Sequence, residues 1–434
     1  MYFSLRKTAL LRAVSGLALG LSLAVGSLGA ASAQQIGPQL RQRFLSDPLT
    51  ETPRDSLLPE IPIERALSPL ELSALEADLQ ALDQVAQQLF VNGFADEAFG
   101  LWLRSLRLRR AFGPVEEFNN IQRIAEIAWN AQRPVEVQLL TLRTREIWDT
   151  VQAALGLVPD ELAAEDPADG SQPAQRLTSG DAASDVAVLE ALAQTFITLR
   201  DVESSVEVYQ QLIVLSDRQN IDTTIQEVDL AELHLSWFQF AEAADVYLAL
   251  LTAAKASGNQ QQQVAYLKPL IYSYQQANSL LNATKAQTEL LALYQVQGEA
   301  EKLPVLLLAI AQNYRALNQP KNAVTYYRAA YSAAQSLDQF SVSAQVLKDL
   351  GALYSAIALN EQALGAYELL VPVEEQAYNT YGVMEAYDNI GQLQQRLGNT
   401  VEALQAFQQG LVAANQLGVR EDYFIEQIEA ISQP

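Results

Sequence analysis

The sequence predicts an all-α solenoid of about eight helical hairpins with a C-terminal capping helix. The main observation is a repeat: a small residue recurs inside apolar segments of helical pattern, and the last four steps are each 40 residues long. A fixed period of this length is typical of arrays in which each hairpin buries its apolar face against its neighbours. The recurring positions are Ala86, Ala125, Ala193, Ala231, Ile271, Ala311, Gly351 and Gly391, of which Ile271 is the larger exception.

Composition agrees with a packed, helical and strongly acidic protein. Apolar residues make up 49% of the chain, enough to build a core, and strand-type alternation of apolar and polar residues is absent. The chain has 51 acidic against 28 basic residues, a formal net charge of −23. Because this charge repels phosphate backbones and anionic lipid headgroups, we expect no nucleic-acid partner and no docking on anionic membrane surfaces.

The residue inventory also argues against an enzyme. The chain has no cysteine and a single histidine, His234, which excludes cysteine nucleophiles and zinc sites that need several such ligands. His234 falls where later repeats have a tyrosine, so we expect it to pack in the core. No glycine-rich phosphate loop is visible. The sequence therefore predicts no catalytic residue, no cofactor and no metal site.

The repeat resembles the tetratricopeptide repeat. In that pattern an apolar-small pair is followed by an aromatic residue three positions on, and then by a second-helix alanine and another aromatic residue. The seventh unit has Leu350-Gly351, Tyr354, Ala363 and Tyr367 in these places. The step of 12 residues from the first small residue to the second-helix position holds in all eight units. The resemblance covers roughly residues 70–417, and the 40-residue period is similar to long-helix variants such as kinesin light chains.

The N-terminal segment predicts export. Residues 1–33 contain Arg6, Lys7 and Arg12 but no acid, then an apolar run, and end in Ala31-Ser32-Ala33. This pattern is typical of a secretory signal peptide cleaved after Ala33. The alternative is an uncleaved membrane anchor, because the run is about 20 residues long. We expect a periplasmic or extracellular protein that is not inserted in the membrane after signal cleavage.

Composition divides the rest of the chain. The step from Ala125 to Ala193 is 68 residues long, and its excess is rich in acids, proline and glycine. It predicts a mobile acidic insertion. The predicted segments are a proline-containing extended linker at 34–67, repeats 1 and 2 at 68–158, the acidic insertion at 159–185, repeats 3 to 8 at 186–417 and the capping helix at 418–434.

Two groups of residues are candidate binding sites. The resemblance implies that the first helix of each hairpin lines a concave groove, where an extended peptide could bind; the alternative is an ordinary solvated groove. The predicted groove residues are Lys268, Tyr272, Gln275, Gln312, Arg315 and Lys348. Their order departs from the Lys-then-Asn carboxylate clamp of chaperone-binding members of the family, which does not favour a chaperone tail.

The second group is an arginine strip on the second helix of repeat 1. Arg104, Arg107 and Arg110 are three residues apart and therefore share one face of that helix. They either pair with the acids around them or form a docking site for the chain's own acidic loop or for an acidic partner.

Taken together, these features predict a non-enzymatic interaction scaffold that binds a partner protein or peptide in the groove. The alternative function is an accessory or assembly subunit of an envelope enzyme or secretion complex that docks through the acidic loop or the N-terminal arm. The sequence predicts neither the identity of the partner nor the oligomeric state.

Overall fold

The computed structural model describes residues 36–49, 51, 53–59, 66–156, 182–219 and 221–432. The predicted signal peptide and residues 159–181 of the predicted acidic insertion lie outside the described residues. Every regular element in the described ranges is an α-helix or a short 3-10 helix, as the all-α prediction requires. The described residues belong to two compact units that divide between Trp237 and Phe238, here called the N-terminal unit and the C-terminal unit.

The N-terminal unit contains an arm helix, three complete hairpins and the first helix of the fourth. Prolines at the first position of α1, α2, α4 and α5 favour helix initiation, because that position has no amide partner to lose. The helices are α1 (Pro38–Leu45), α2 (Pro69–Val91), α3 (Ala95–Arg109), α4 (Pro114–Asn130), α5 (Pro134–Ala154), α6 (Ala182–Leu199), α7 (Val202–Arg218) and α8 (Thr224–Ser236).

The C-terminal unit contains the second helix of the fourth hairpin, four complete hairpins and a last helix. A 3-10 turn at Ala300–Lys302 leads into the second complete hairpin of this unit. The helices are α9 (Phe240–Ala256), α10 (Gln260–Gln276), α11 (Leu280–Gln297), α12 (Leu303–Ala316), α13 (Pro320–Gln335), α14 (Phe340–Ala356), α15 (Asn360–Gln376), α16 (Thr380–Leu397), α17 (Thr400–Leu417) and α18 (Glu421–Ser432). The predicted count of eight hairpins and a capping helix is confirmed.

Each hairpin turn has one residue in the left-handed region, seven positions after the small residue. In the sixth repeat the following amide, Gln319 N, donates to the carbonyl of Tyr314 at 2.9 Å, which closes the first helix. The same bond joins Leu359 to Tyr354 at 2.9 Å in the seventh repeat. The left-handed residues, with φ between 54° and 87°, are Gly93, Gln132, Arg200, Phe238, Asn278, Asn318, Ala358 and Gly398.

The small residue is required because an aromatic ring packs on it. A Cβ added to Gly351 would lie 2.8 Å from the ring of Tyr367, and one added to Gly391 would lie 2.7 Å from the ring of Phe407. Both distances are below van der Waals contact, so a side chain there would displace the ring. The small and aromatic positions of the repeat are thus the two sides of one contact between the helices of a hairpin.

The fifth repeat replaces this contact by a polar one. Ile271 stands at the small position, and Gln287 stands where all other repeats except the second, which has Thr141, have an aromatic ring. Gln287 is buried and accepts a hydrogen bond of 2.8 Å from Asn313 Nδ2 on α12. The larger aliphatic side chain is therefore accompanied by a smaller partner, and the partner's amide is satisfied by the next repeat.

Three segment predictions differ from the structure. The predicted extended linker contains helix α1 at Pro38–Leu45, because Pro38 initiates it and a distant arginine binds its last carbonyls. The last residues of the predicted insertion, 182–185, form the first turn of α6. The capping helix begins at Glu421; its Phe424 is fully buried, whereas Ile425 is 42% exposed.

Candidate functional site

The predicted groove residues lie on the exposed face of the first helices in the C-terminal unit. On α10, Lys268 and Gln275 are exposed, and Tyr272 is 48% exposed. The ring of Tyr272 packs edge-on against Phe240 with ring centres 6.0 Å apart. The structure therefore places one cation, one amide and one aromatic ring on the open side of a single helix.

Polar contacts join this face from one first helix to the next. Gln312 Nε2 on α12 donates to Asp349 Oδ2 on α14 at 2.8 Å, and Arg315 Nη1 lies 3.8 Å from Asp349 Oδ1. Lys348 Nζ on α14 lies 2.6 Å from Glu385 Oε2 on α16. The pKa of Lys348 is raised above its usual 10.5, mainly by the hydrogen bond to Glu385. The Lys348 ammonium is therefore protonated at neutral pH.

The groove residues predicted from the sequence include the cations Arg315 and Lys348 but not their acidic partners Asp349 and Glu385. Asp349 and Glu385 fall at positions that the resemblance did not assign to the groove. They lie 37 residues after Gln312 and Lys348, respectively. That spacing is one repeat less about one helical turn, which brings residues of successive first helices opposite each other. A search for complementary charges at this spacing would have found the Lys348–Glu385 pair.

The first helices of the two units differ in charge. In the C-terminal unit, α10 and α12 carry Lys268 and Arg315 and no acid, and the four first helices together carry four cations and three acids. In the N-terminal unit, α2, α4, α6 and α8 carry 12 acids and one cation, Arg123. The cationic face is therefore confined to the C-terminal half of a chain that is acidic as a whole.

The acidic character is clearest on α6 and α8. Glu190 Oε1 accepts a hydrogen bond of 2.7 Å from Gln226 Nε2. Burial, and next the charge of Glu190, raises the pKa of Asp229 above its usual 3.8. Burial and then the charges of Asp229 and Glu190 raise the pKa of Tyr209 to about 12. This surface repels anionic ligands.

The predicted arginine strip is occupied by the chain's own N-terminal arm, residues 36–59. Two nitrogens of the Arg104 guanidinium donate to the Asp55 carboxylate, Nε at 2.8 Å and Nη2 at 2.5 Å. Arg107 Nη2 lies 2.5 Å from Glu51 Oε1. These hydrogen bonds are the main cause that lowers the pKa of Asp55 and of Glu51 below their usual values of 3.8 and 4.5.

Arg110, the third member of the strip, binds the end of helix α1. Its guanidinium donates to the carbonyl oxygens of Phe44 at 2.7 Å, Leu45 at 3.2 Å and Ser46 at 2.9 Å, and it lies 5.6 Å from the centre of the Phe44 ring. A cation at these carbonyls complements the negative end of the helix dipole. The strip therefore pairs with acids: Arg104 and Arg107 pair with acids of the arm, and Arg110 pairs with Glu117 on α4.

A buried charge network continues from the strip into the second repeat. Glu117 is 2% exposed and accepts from Arg110 Nε at 3.1 Å and from Arg143 Nε at 2.7 Å. Burial, and next the charge of Arg143, lowers the pKa of Arg110 to about 10. Burial alone would lower the pKa of Arg143. The hydrogen bond and the negative charge of Glu117 have a larger combined effect, so the pKa of Arg143 is raised. Both guanidiniums stay charged at neutral pH.

The described part of the chain contains no candidate metal centre. No group of three or more histidine or acidic side chains in it is arranged to hold a metal ion. His234 is buried, at the core position that the sequence predicts. Among the same residues, no helix combines the length and hydropathy needed to cross a bilayer.

Comparison with known proteins supports the repeat. A family model described as "Tetratricopeptide repeat" matches residues 305–336, which cover α12 and α13. This match confirms the repeat type that the small and aromatic positions predict, and no catalytic family is indicated. No curated protein sequence matches the chain.

Solved structures of other helical-repeat proteins are similar to this chain at low identity. BtubC (BKLC) from P. vanneervenii is 18% identical, with a TM-score of 0.35, over 50% of this chain and 90% of that one. Aspartyl phosphate phosphatase F from Bacillus subtilis is 14% identical, with a TM-score of 0.36, over 72% and 78%. A Rap protein complexed with Competence and Sporulation Factor is 11% identical, with a TM-score of 0.29, over 82% and 97%.

Proposed function

We propose that the chain is a non-enzymatic scaffold that binds a partner protein or an extended peptide on the first helices of its C-terminal unit. The observation that carries this proposal is the charge of that face: α10 and α12 present cations, amides and an aromatic ring without an acid, in a chain with a net charge of −23. Stacked helical hairpins offer an extended surface of this kind to macromolecular partners.

The chemistry of the face favours a peptide that carries a carboxylate. Lys268 is exposed. Arg315 is 44% exposed, and its Nη1 lies as far as 3.8 Å from Asp349 Oδ1. Both cations can therefore pair with a carboxylate of a bound peptide. Gln275 and Gln312 present amides that can bond to an extended backbone. Tyr272 adds an exposed ring with a hydroxyl, a side chain common at the centre of protein interfaces.

Partner capture with charge variants tests this proposal. The variant K268A/R315A/K348A removes three cations from the first helices, and the matched variant K255A/K285A/K321A removes three exposed cations from the second helices α9, α11 and α13. Both sets are surface residues, so we expect folding changes within about 0.5 kcal/mol per site. Proteins captured from the envelope fraction by the wild type and by the matched variant should be lost with K268A/R315A/K348A. Equal capture by all three chains would contradict the proposal.

We also propose that the protein works after export, with cleavage following Ala33. The basic residues, the apolar run and the Ala31-Ser32-Ala33 site support this. N-terminal sequencing of protein recovered from the periplasmic or extracellular fraction should begin at Gln34. A chain that still begins at Met1 and pellets with membranes would support an uncleaved anchor instead.

A further inference from the structure

The arginine strip has the features of a receptor site for an acidic segment. Its three guanidiniums contact three separate parts of the arm: the end of α1 at Arg110, Glu51 at Arg107 and Asp55 at Arg104. The two carboxylates are four residues apart, and the arginines that bind them are three apart on one helix face. The strip thus recognises a pattern of carbonyls and carboxylates rather than a single charge.

The arm does not use all the donors that the strip offers. Glu51 reaches Arg107 only through Nη2, and Arg107 Nε is buried without an acceptor. Glu51 also accepts from Ser46 Oγ, which holds its carboxylate toward the arm. A carboxylate that approached Arg107 in the two-nitrogen geometry of the Arg104–Asp55 pair would satisfy this orphan donor.

The arm is held by apolar and charged contacts together. Among its described residues Phe44, Pro48 and Leu58 are buried, and Leu58 joins a small cluster with Leu75, Leu79 and Leu108. The ion pairs stay partly open to water: the side chains of Glu51 and Arg107 are 33% and 13% exposed, and those of Arg104 and Asp55 are 35% and 19% exposed. Ion pairs that water reaches contribute modest net stability, so another acidic ligand can compete for the same guanidiniums.

We propose that the strip formed by Arg104, Arg107 and Arg110 is a binding site for an acidic segment of a partner protein, and that the N-terminal arm occupies it until that segment displaces it. The segment has a helical turn whose last carbonyls bind Arg110. It also carries two carboxylates four residues apart, as Glu51 and Asp55 are in the arm. This surface belongs to the N-terminal unit and is independent of the first-helix face proposed above.

The test measures binding of the arm sequence in trans to the full chain. The probe is a fluorescently labelled peptide with the sequence of residues 38–59, and binding is followed by fluorescence anisotropy. In the full chain, E51Q/D55N weakens the attached arm, so the peptide should bind at least about tenfold more tightly to this variant than to the wild type, where the attached arm competes. A peptide that itself carries E51Q/D55N should not bind.

The receptor side is tested in the same background. Adding R104A/R107A to E51Q/D55N should abolish peptide binding, whereas adding R145A/R218A, a pair of exposed arginines elsewhere in the same unit, should not. Circular dichroism checks the helical content of each chain. If R104A/R107A reduces the helical content, the question is decided on the folded E51Q/D55N chain, by comparing binding of the wild-type peptide with binding of the peptide that carries E51Q/D55N. Failure of the wild-type peptide to bind the E51Q/D55N chain, or equal binding by both peptides, would overturn the proposal.

Discussion

The two units stack similar hairpins but hold them together differently. In repeats 1 and 2 the contacts include buried or half-buried ion pairs, with Glu117 between Arg110 and Arg143 at the centre. In repeats 7 and 8 each hairpin packs a glycine against an aromatic ring, as at Gly391 and Phe407. The same repeat pattern therefore accommodates buried ion pairs in the N-terminal unit and close glycine-to-ring packing in the C-terminal unit.

The difference also separates the two candidate binding surfaces. In the N-terminal unit the arginine strip lies on a second helix, where the arm covers it, and the first helices are acidic. In the C-terminal unit the first helices themselves carry cations, and Lys268 and Tyr272 are exposed there. An acidic partner would therefore meet an open surface on one unit and an occupied one on the other.

The largest expected effect comes from breaking the buried charge network. Glu117→Gln removes the charge between two buried guanidiniums, and losing one partner of a buried pair costs about 3–5 kcal/mol. Hydrogen exchange should show this loss in the amides of α3 to α5 and no change in α14 to α17. The matched variant Glu97→Gln, at an exposed acid of α3, should change stability by less than about 0.5 kcal/mol. Equal effects of the two variants would show that the network does not hold the first repeats.

A smaller effect is expected from overfilling a packed contact in the other unit. Gly391→Ala forces the ring of Phe407 to move and should cost about 1–3 kcal/mol in the free energy of unfolding, measured in urea. Gly365 lies inside α15 with no atom near the place of a Cβ, so Gly365→Ala should instead stabilise the unit by about 0.5–1 kcal/mol. The contrast fails if both substitutions have the same sign.

The smallest effect is expected from acid. Because Arg107 and Arg104 lower the pKa values of Glu51 and Asp55, the unfolded arm binds protons more readily than the docked arm. The docked state is therefore fully stabilised above the usual values of 4.5 and 3.8, and it loses this stabilisation as the pH falls through the lowered values. Amide protection in α1, corrected for intrinsic exchange rates, should stay constant above about pH 5 and fall as the pH is lowered further, while protection in α14 stays constant. A parallel loss in both helices would contradict a local effect.

The fold could be predicted because its determinants are local in sequence. The small residue, the aromatic residue and the turn of each hairpin lie within one repeat, so their spacing alone predicts the helices and their number. The predicted site residues Lys268, Tyr272 and Gln312 are exposed on the face that the pattern implies, and their role in binding stays a prediction.

The remaining features depend on contacts between distant residues. Arg104 and Asp55 are 49 positions apart, and nothing in the composition of the arm indicates which face receives it. The helix α1 is short, and its last carbonyls bind Arg110 from another part of the chain, which no local pattern reveals. Asp349 and Glu385 were missed because their pairing depends on the offset between successive repeats.

Site-specific crosslinking tests most directly whether the partner binds the first helices of the C-terminal unit. A photo-crosslinking amino acid is placed at Gln312 and, in a matched variant, at Glu126, the equivalent exposed position of the second repeat. The account predicts a crosslinked partner from Gln312 that disappears with K268A/K348A, and none from Glu126. Crosslinking of the same partner from Glu126 and not from Gln312 would contradict it.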